Sequence, residues 1–210
     1  MSRLATGLAA CLLLASTLRA DDEPGFTPLF NGKDLTGWVT PDDKSIFTVD
    51  EGEIVGKTRS DGDPKKSTLK KNEFLVTEKE YGDFILKAKL KLINHNSGIQ
   101  FRSNRAPDGA VSGPQADAAD GYWGLFYEER GRGILERIPK DKGDALAHRG
   151  DWNDYVITAK GDHVTIDFNG TRVVDRVDPK FAKSGIIAFQ VHVGPPMEVR
   201  FKDIAIKPLD

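Results

Sequence analysis

The chain has 210 residues, 30% of them charged and 39% hydrophobic, with 21 glycines, 11 prolines and a single cysteine. That composition belongs to an ordinary globular protein and excludes a disordered, collagen-like or disulfide-stapled one. With 30 Lys and Arg against 32 Asp and Glu, a formal charge of -2, no broad positive field is available to hold a phosphate backbone, which argues against nucleic acid as a partner.

Residues 1–20 read as a cleavable export signal. Arg3 supplies a positive start, the apolar run from Leu4 to Ala15 is too short to span a bilayer, and Leu18-Arg19-Ala20 ends on a small residue before Asp21. Leu8-Ala9-Ala10-Cys11 has the form of a lipoprotein cleavage box, but its apolar run continues past the cysteine, so lipidation fits less well. Cleavage after Ala20 removes Cys11, leaving a domain over 21–210 with no disulfide, thiol nucleophile or cysteine zinc site. The expected location is secreted or periplasmic. No later segment is apolar enough to span a membrane.

Period-two alternation then recurs along the chain, the mark of strands with one buried face. Ile46 to Val49 and Ile54-Val55 flank an Asp50-Glu51-Gly52-Glu53 turn as an early hairpin. From 83 to 93, Phe84, Leu86, Ala88, Leu90 and Leu92 fall on one face and Lys87, Lys89 and Lys91 on the other. In Asn94 to Arg105, Ile99 and Phe101 point to the core, which sends Gln100 and Arg102 to the opposite face. Tyr155 to Lys160, a Gly161-Asp162 turn, and Val164 to Phe168 give two more strands; Asn169-Gly170 then suits a two-residue hairpin because both positions need positive φ. Gly185 to Val193 and Met197 to Ile206 close the chain around a Gly194-Pro195-Pro196 corner, with a parity change that predicts a bulge near Lys202-Asp203. Helical periodicity is confined to short candidates at Asp144 to His148 and Pro179 to Lys183. The fold class is therefore all-β, a sandwich or jelly roll of two antiparallel sheets.

Three stretches carry residues with chemical use. Gln100 and Arg102 can hold hydroxyl or carboxylate groups if their face lines a groove, or can form a solvated outer face. Gln115 and Asp117 share one strand face about 7 Å apart if extended, and Tyr122, Trp123, Phe126, Tyr127, Glu128, Glu129, Arg130 and Arg132 follow. Rings beside carboxylates and amides suit sugars, whose C–H faces stack and whose hydroxyls need several partners. The competing reading puts Trp123 and Phe126 in the core and the charges in a solvated loop. His192 shares a strand face with Gln190 and Ala188, while Ile187, Phe189 and Val191 take the core side. It can act there as a base near neutral pH or serve as a hydrogen-bonded structural histidine. The sequence has no His-Glu-x-x-His, no cysteine cluster, no EF-hand loop, no phosphate loop around Gly131-Arg132-Gly133 and no Gly-x-Ser-x-Gly elbow, so no metal or other cofactor is expected.

The opening FTPLFNGKDLTGW (26–38) and the blocks NSGIQFRS (96–103), GPQADAADGYWGLFYEERGRGIL (113–135), DWNDYVITAKGDHVTIDFNG (151–170) and GIIAFQVHVGPPMEVRFKDIAIK (185–207) resemble the 3-keto-disaccharide hydrolase family. The resemblance implies a concanavalin A-like jelly roll, export to the cell envelope and action on glycosides whose sugar carries a carbonyl at C3. Laminarinase-like enzymes of that fold carry a Glu-x-Asp-x-x-Glu strand whose two glutamates perform retaining hydrolysis. The comparable strand here is Gln115-Ala116-Asp117-Ala118-Ala119-Asp120, which lacks the first glutamate and so has no evident nucleophile. A 3-keto sugar offers elimination instead: the carbonyl acidifies the C2 proton, a base removes it, and the group on C1 leaves before water adds. On that expectation Gln100, Arg102, Gln115, Asp117, Tyr122, Trp123, Tyr127 and Gln190 line one groove, with Trp123 or Tyr122 as stacking platform. His192 or Glu128 takes the C2 proton, Asp117 orients or shares it, and Arg102 or Gln100 stabilises the enolate oxygen. The alternative is a lectin-like domain that binds glycan without turnover.

Overall fold

The computed structural model describes residues 23–210, so the leader expected over 1–20 lies outside the described residues. In chain order the strands are β1 (Thr27–Pro28), β2 (Trp38–Val39), β3 (Phe47–Asp50), β4 (Glu53–Lys57), β5 (Glu73–Thr77), β6 (Phe84–Leu92), β7 (Asn96–Arg105), β8 (Val111–Ala119), β9 (Phe126–Glu129) and β10 (Gly133–Glu136). A short helix α1 (Lys140–Leu146) precedes β11 (Asn153–Lys160), β12 (His163–Phe168), β13 (Thr171–Val177), β14 (Ile186–Val191) and β15 (Glu198–Pro208). The first sheet runs β13-β12-β11-β6-β15-β4-β3, with β1 added along β15, and the second runs β10-β9-β8-β7-β14-β5-β2. All their pairings are antiparallel. This is the jelly-roll sandwich that the alternation implies.

Local chemistry accounts for the turns. Glu51 and Gly52 take φ of 50° and 78° between β3 and β4, and Asn169 and Gly170 take 46° and 77° between β12 and β13, the left-handed pair that a two-residue hairpin requires. The register of β15 against β6 slips between Lys202 and Ala205, at the expected bulge. Helix α1 starts earlier than its candidate segment, and Pro179-Lys180 is a turn. Gly143 sits inside α1 because a Cβ there would stand 2.5 Å from the Trp123 carbonyl oxygen.

The core is built by alternation. Every second residue of β6, from Phe84 to Leu92, is buried, and β15 lays Phe201 opposite Leu90. Phe201 stacks on Phe189 of β14 at 4.1 Å between ring centroids, and Phe189 stacks on Trp38 of β2 at 5.0 Å, so one aromatic column joins the two sheets. Fully burying each such side chain is worth roughly 1.5–3 kcal/mol. The outer face of the second sheet is also shielded from solvent. Phe74, Val76, Val111, Ile186 and Ala188 form a small apolar cluster there, and the 106–110 segment is tied back to Lys71, whose ammonium donates to the Asp108 carbonyl.

Candidate functional site

Strand parity brings a row of polar side chains onto that outer face. Ile99 and Phe101 are buried in the core, so Gly98 and Gln100 of β7 face outward. The pairing Ala188–Gln100–Gln115–Tyr127 runs across four neighbouring strands. Asp117 lies opposite Gly98. Gln100 Nε2 donates to Gln115 Oε1 at 3.0 Å, and Gln115 Nε2 donates to Asp117 Oδ1 at 2.5 Å. Gly98 makes room for this chain, because a Cβ on it would stand 2.7 Å from Cγ and Cδ of Gln115. From the first sheet, the Tyr155 hydroxyl reaches through the core to donate to the Asp117 carbonyl at 2.8 Å.

Gln100, Gln115, Asp117 and Gln190 are each no more than 6% exposed. Burial disfavours the Asp117 carboxylate and, with the charge of Glu129 adding to it against the hydrogen bond from Gln115, pushes its pKa up to about 7. Glu129 is itself raised by burial, partly offset by Arg130 and by its proximity to Gln190. Two carboxyl groups that sense each other, both raised by burial, can divide acid and base roles. Both amide atoms of Gln190, and Oε1 of Gln100, have no hydrogen-bond partner in the protein, an arrangement that costs stability unless a ligand completes it.

Beside this row lies a pocket of about 210 Å³, its wall including Lys71, Phe74, Glu129, Arg130 and His192. His192 follows β14 on the Gln190 side. Its Nδ1 lies 2.5 Å from the Val193 carbonyl, and His95 Nε2 reaches the same oxygen at 3.1 Å. A carbonyl only accepts, so each of these nitrogens carries the proton, and Nε2 of neutral His192 keeps its lone pair. The rings meet edge to face at 5.1 Å. Burial lowers the His192 pKa, against the Val193 carbonyl bond that raises it.

Four expected site residues stand elsewhere. Arg102 has φ 45° inside an irregularity of the β7–β8 register, which breaks the parity that would have carried it outward. Its guanidinium is buried, donating to the carbonyls of Gly82, Gly161 and Ala182 and pairing with Asp83 at 2.6 Å. Trp123 is a core residue stacked on Phe168 at 5.7 Å, so it offers no platform. Tyr122 is 47% exposed in the turn after β8, off the strand face. Glu128 shares the parity of buried Phe126 and is clamped by Arg132 through Nε at 2.6 Å and Nη2 at 2.9 Å, which holds its carboxyl below the usual range. Asp120, third in the strand compared with glucanases, lies past β8 and pairs with Arg149 at 2.9 Å. The sequence names Glu129 within the charged run after Trp123 without a role of its own, and nothing in it marks Gly98. Taking Phe126 as a core residue would have placed Tyr127 and Glu129 together on the outer face. Among the described residues no cluster of three or more His, Cys, Asp or Glu is placed to hold a metal ion, and no helix is long and apolar enough to cross a membrane.

The same fold occurs in a Parabacteroides distasonis ATCC 8503 protein provisionally described as a glycosyl hydrolase, 24% identical with a TM-score of 0.62 over 89% of this chain and 95% of that one. It also occurs in the β-glucanase of Bacillus licheniformis, 12% identical with a TM-score of 0.61 over 88% and 97% of the two chains. The carbohydrate binding module CBM66 of Bacillus subtilis shares it at 16% identity and a TM-score of 0.52, over 87% and 95%. With this architecture the chain is a jelly roll of two antiparallel sheets, the fold shared by these hydrolase-like and glycan-binding proteins. The family model of the 3-keto-alpha-glucoside-1,2-lyase-like domain matches residues 25–207, and the chain belongs to that family. No curated protein matches it in sequence.

Proposed function

We propose that the outer face of the second sheet cleaves 3-keto-glycosides by elimination across C1 and C2. The observation that carries this reading is Asp117: a buried carboxyl with a pKa near 7, held by Gln115 beside Glu129 and the unpartnered amide of Gln190. In its ionised form Asp117 takes the C2 proton of a sugar whose C3 carbonyl has made it acidic, and the electron pair moves onto the C3 oxygen as an enolate. The unpartnered Gln190 Nε2 supplies an N–H donor for that oxygen, a role that preorganised dipoles fill well in a dry site, while Gln100 Oε1 is free to accept from a sugar hydroxyl. As the enolate collapses the C1–O bond breaks, and protonated Glu129 gives its proton to the leaving oxygen. The product is an enone, to which water then adds. His192, through its free Nε2, is the second candidate for the base. Retaining hydrolysis is disfavoured because Gln115, an amide, stands beside Asp117 where a second carboxylate would be needed. We propose export on the strength of the 1–20 leader, which mass spectrometry of the exported chain tests by an N-terminus near Asp21.

The test is incubation in D₂O with 4-nitrophenyl 3-keto-α-glucoside and with its unoxidised parent. Elimination followed by hydration releases nitrophenol from the keto sugar alone and leaves deuterium at C2 of the product, above an enzyme-free control. Release without C2 deuterium would make the reaction a direct hydrolysis. Saturable binding with no turnover of either glycoside would make the domain a glycan-binding module.

A further inference from the structure

On the far side of the sandwich from Asp117, the outer face of the first sheet holds a larger cavity of about 520 Å³, within the ~300–1,000 Å³ typical of ligand sites. Its wall comes from parts distant in sequence: Phe30 in the N-terminal segment, Glu51 of the β3–β4 turn, Lys89 of β6, Trp152 just before β11, and Lys202 and Asp203 of β15. The bulge in β15 opens it, since Asp203 takes φ 48° where the β15–β6 register slips, and bulges commonly re-aim side chains in this way. Trp152 is partly exposed, whereas Trp38 and Trp123 are buried. The ammonium groups of Lys202 and Lys91 stand over its ring at 4.1 and 4.7 Å from the centroid.

The charges identify the ligand class. Lys89 is matched by Asp154 at 3.2 Å, and Glu53, also on the wall, by Arg200 at 3.0 Å. Lys202, Lys91, Asp203 and Glu51 have no ion-pair partner among the described residues, which leaves two cations at the indole and two anions on the cavity wall. An anionic ligand would face Asp203 and Glu51, and a cationic one would face the lysines. A neutral polyol meets both, because its hydroxyls accept from ammonium groups and donate to carboxylates while its C–H face packs on apolar wall. We infer that this cavity is a second glycan site, non-catalytic and selective for uncharged sugars, on the opposite face of the domain from the Asp117 row. The inference rests on the carbohydrate-active reading of the domain, and it gives the molecule two glycan contacts facing opposite ways.

The test is an NMR titration of the folded chain with maltohexaose, cellohexaose and, as the acidic counterpart, a galacturonate hexamer. One or both neutral hexamers should shift the Trp152 indole signal saturably and leave those of Trp38 and Trp123 in place. In Trp152→Ala, and in Asp203→Asn, which keeps the backbone and loses the charge, binding read from the β15 amides should weaken about tenfold or more, the size of one lost stacking or charged contact. Turnover of 4-nitrophenyl 3-keto-α-glucoside should be unchanged in both variants. Preference for the galacturonate, neutral-hexamer binding untouched by both substitutions, or no shift at Trp152 with any hexamer would overturn the inference. Turnover without a Trp152 shift sinks the second site alone, while a Trp152 shift without turnover sinks the elimination reading alone.

Discussion

At the scale of single residues, Asp117 ties stability to chemistry. Its folded pKa of about 7 lies above the ordinary 3.8 because burial penalises the charged form. Between those values the folded chain holds a proton that the unfolded chain has lost. The stability linked to this group is therefore complete below about pH 4 and is lost as pH rises through about 7, by a total on the order of 4 kcal/mol. Urea denaturation at pH 5 and pH 9 should show the part of that loss lying above pH 5, about 3 kcal/mol, in the native chain and a much flatter response in Asp117→Asn. The same substitution should lower kcat on a 3-keto-glycoside about 100- to 10,000-fold while binding is largely kept. The acidic limb of kcat/KM should fall near 7, since only ionised Asp117 is a base. A limb below 6.5 that survives in Asp117→Asn and disappears in His192→Ala would assign the proton abstraction to His192, whose pKa is lowered.

At the scale of the strand, β7 shows both the reach and the failure of sequence parity. Ile99 and Phe101 place Gln100 on the ligand face, but the count fails two residues later, where Arg102 adopts positive φ and turns into the end of the sandwich. Period two assumes extended backbone at every step, and nothing in the residue types around Arg102 announces the irregularity. Strand β5 was invisible for a different reason: in EFLVT, four successive residues are buried, so both faces are covered and no alternation remains. Two substitutions separate the roles of β7. Gly98→Ala should leave a folded domain but displace the Gln115 amide from Asp117, which kcat and the position of the acidic limb would report. Arg102→Ala should cost about 3 kcal/mol, because it strips donors from three carbonyls and takes the ion-pair partner from Asp83, which keeps only the Gly161 N–H. Activity per folded molecule should be retained, and a selective loss of kcat would return Arg102 to the site.

At the scale of the whole molecule, the sandwich was legible because hairpins and alternation specify sheets, while the face that becomes a site depends on what covers it. The Asp117 row shares its face with an apolar cluster drawn from β5, β8 and β14, and the nearby segments are tied together by Lys71 and Asp108, contacts that join residues far apart in the chain. The two outer faces are joined through the core, by the Tyr155 hydroxyl on the Asp117 carbonyl and by the aromatic column Trp38–Phe189–Phe201. Phe201 belongs to the strand that carries the Lys202–Asp203 bulge, and Phe189 to the strand that carries Gln190. Phe201→Ala should therefore cost about 3–5 kcal/mol, the transfer energy of the ring plus the cavity it leaves between closely packed sheets. Urea denaturation is the measurement, and the m-value should stay unchanged because the surface exposed on unfolding is nearly the same. In the folded fraction at 25 °C the substitution should blur both faces together, weakening oligosaccharide shifts at Trp152 and lowering kcat at Asp117. A cost below about 1 kcal/mol would mean that the core closes around the lost ring, and that the two faces are joined by the rest of the sandwich rather than by this column.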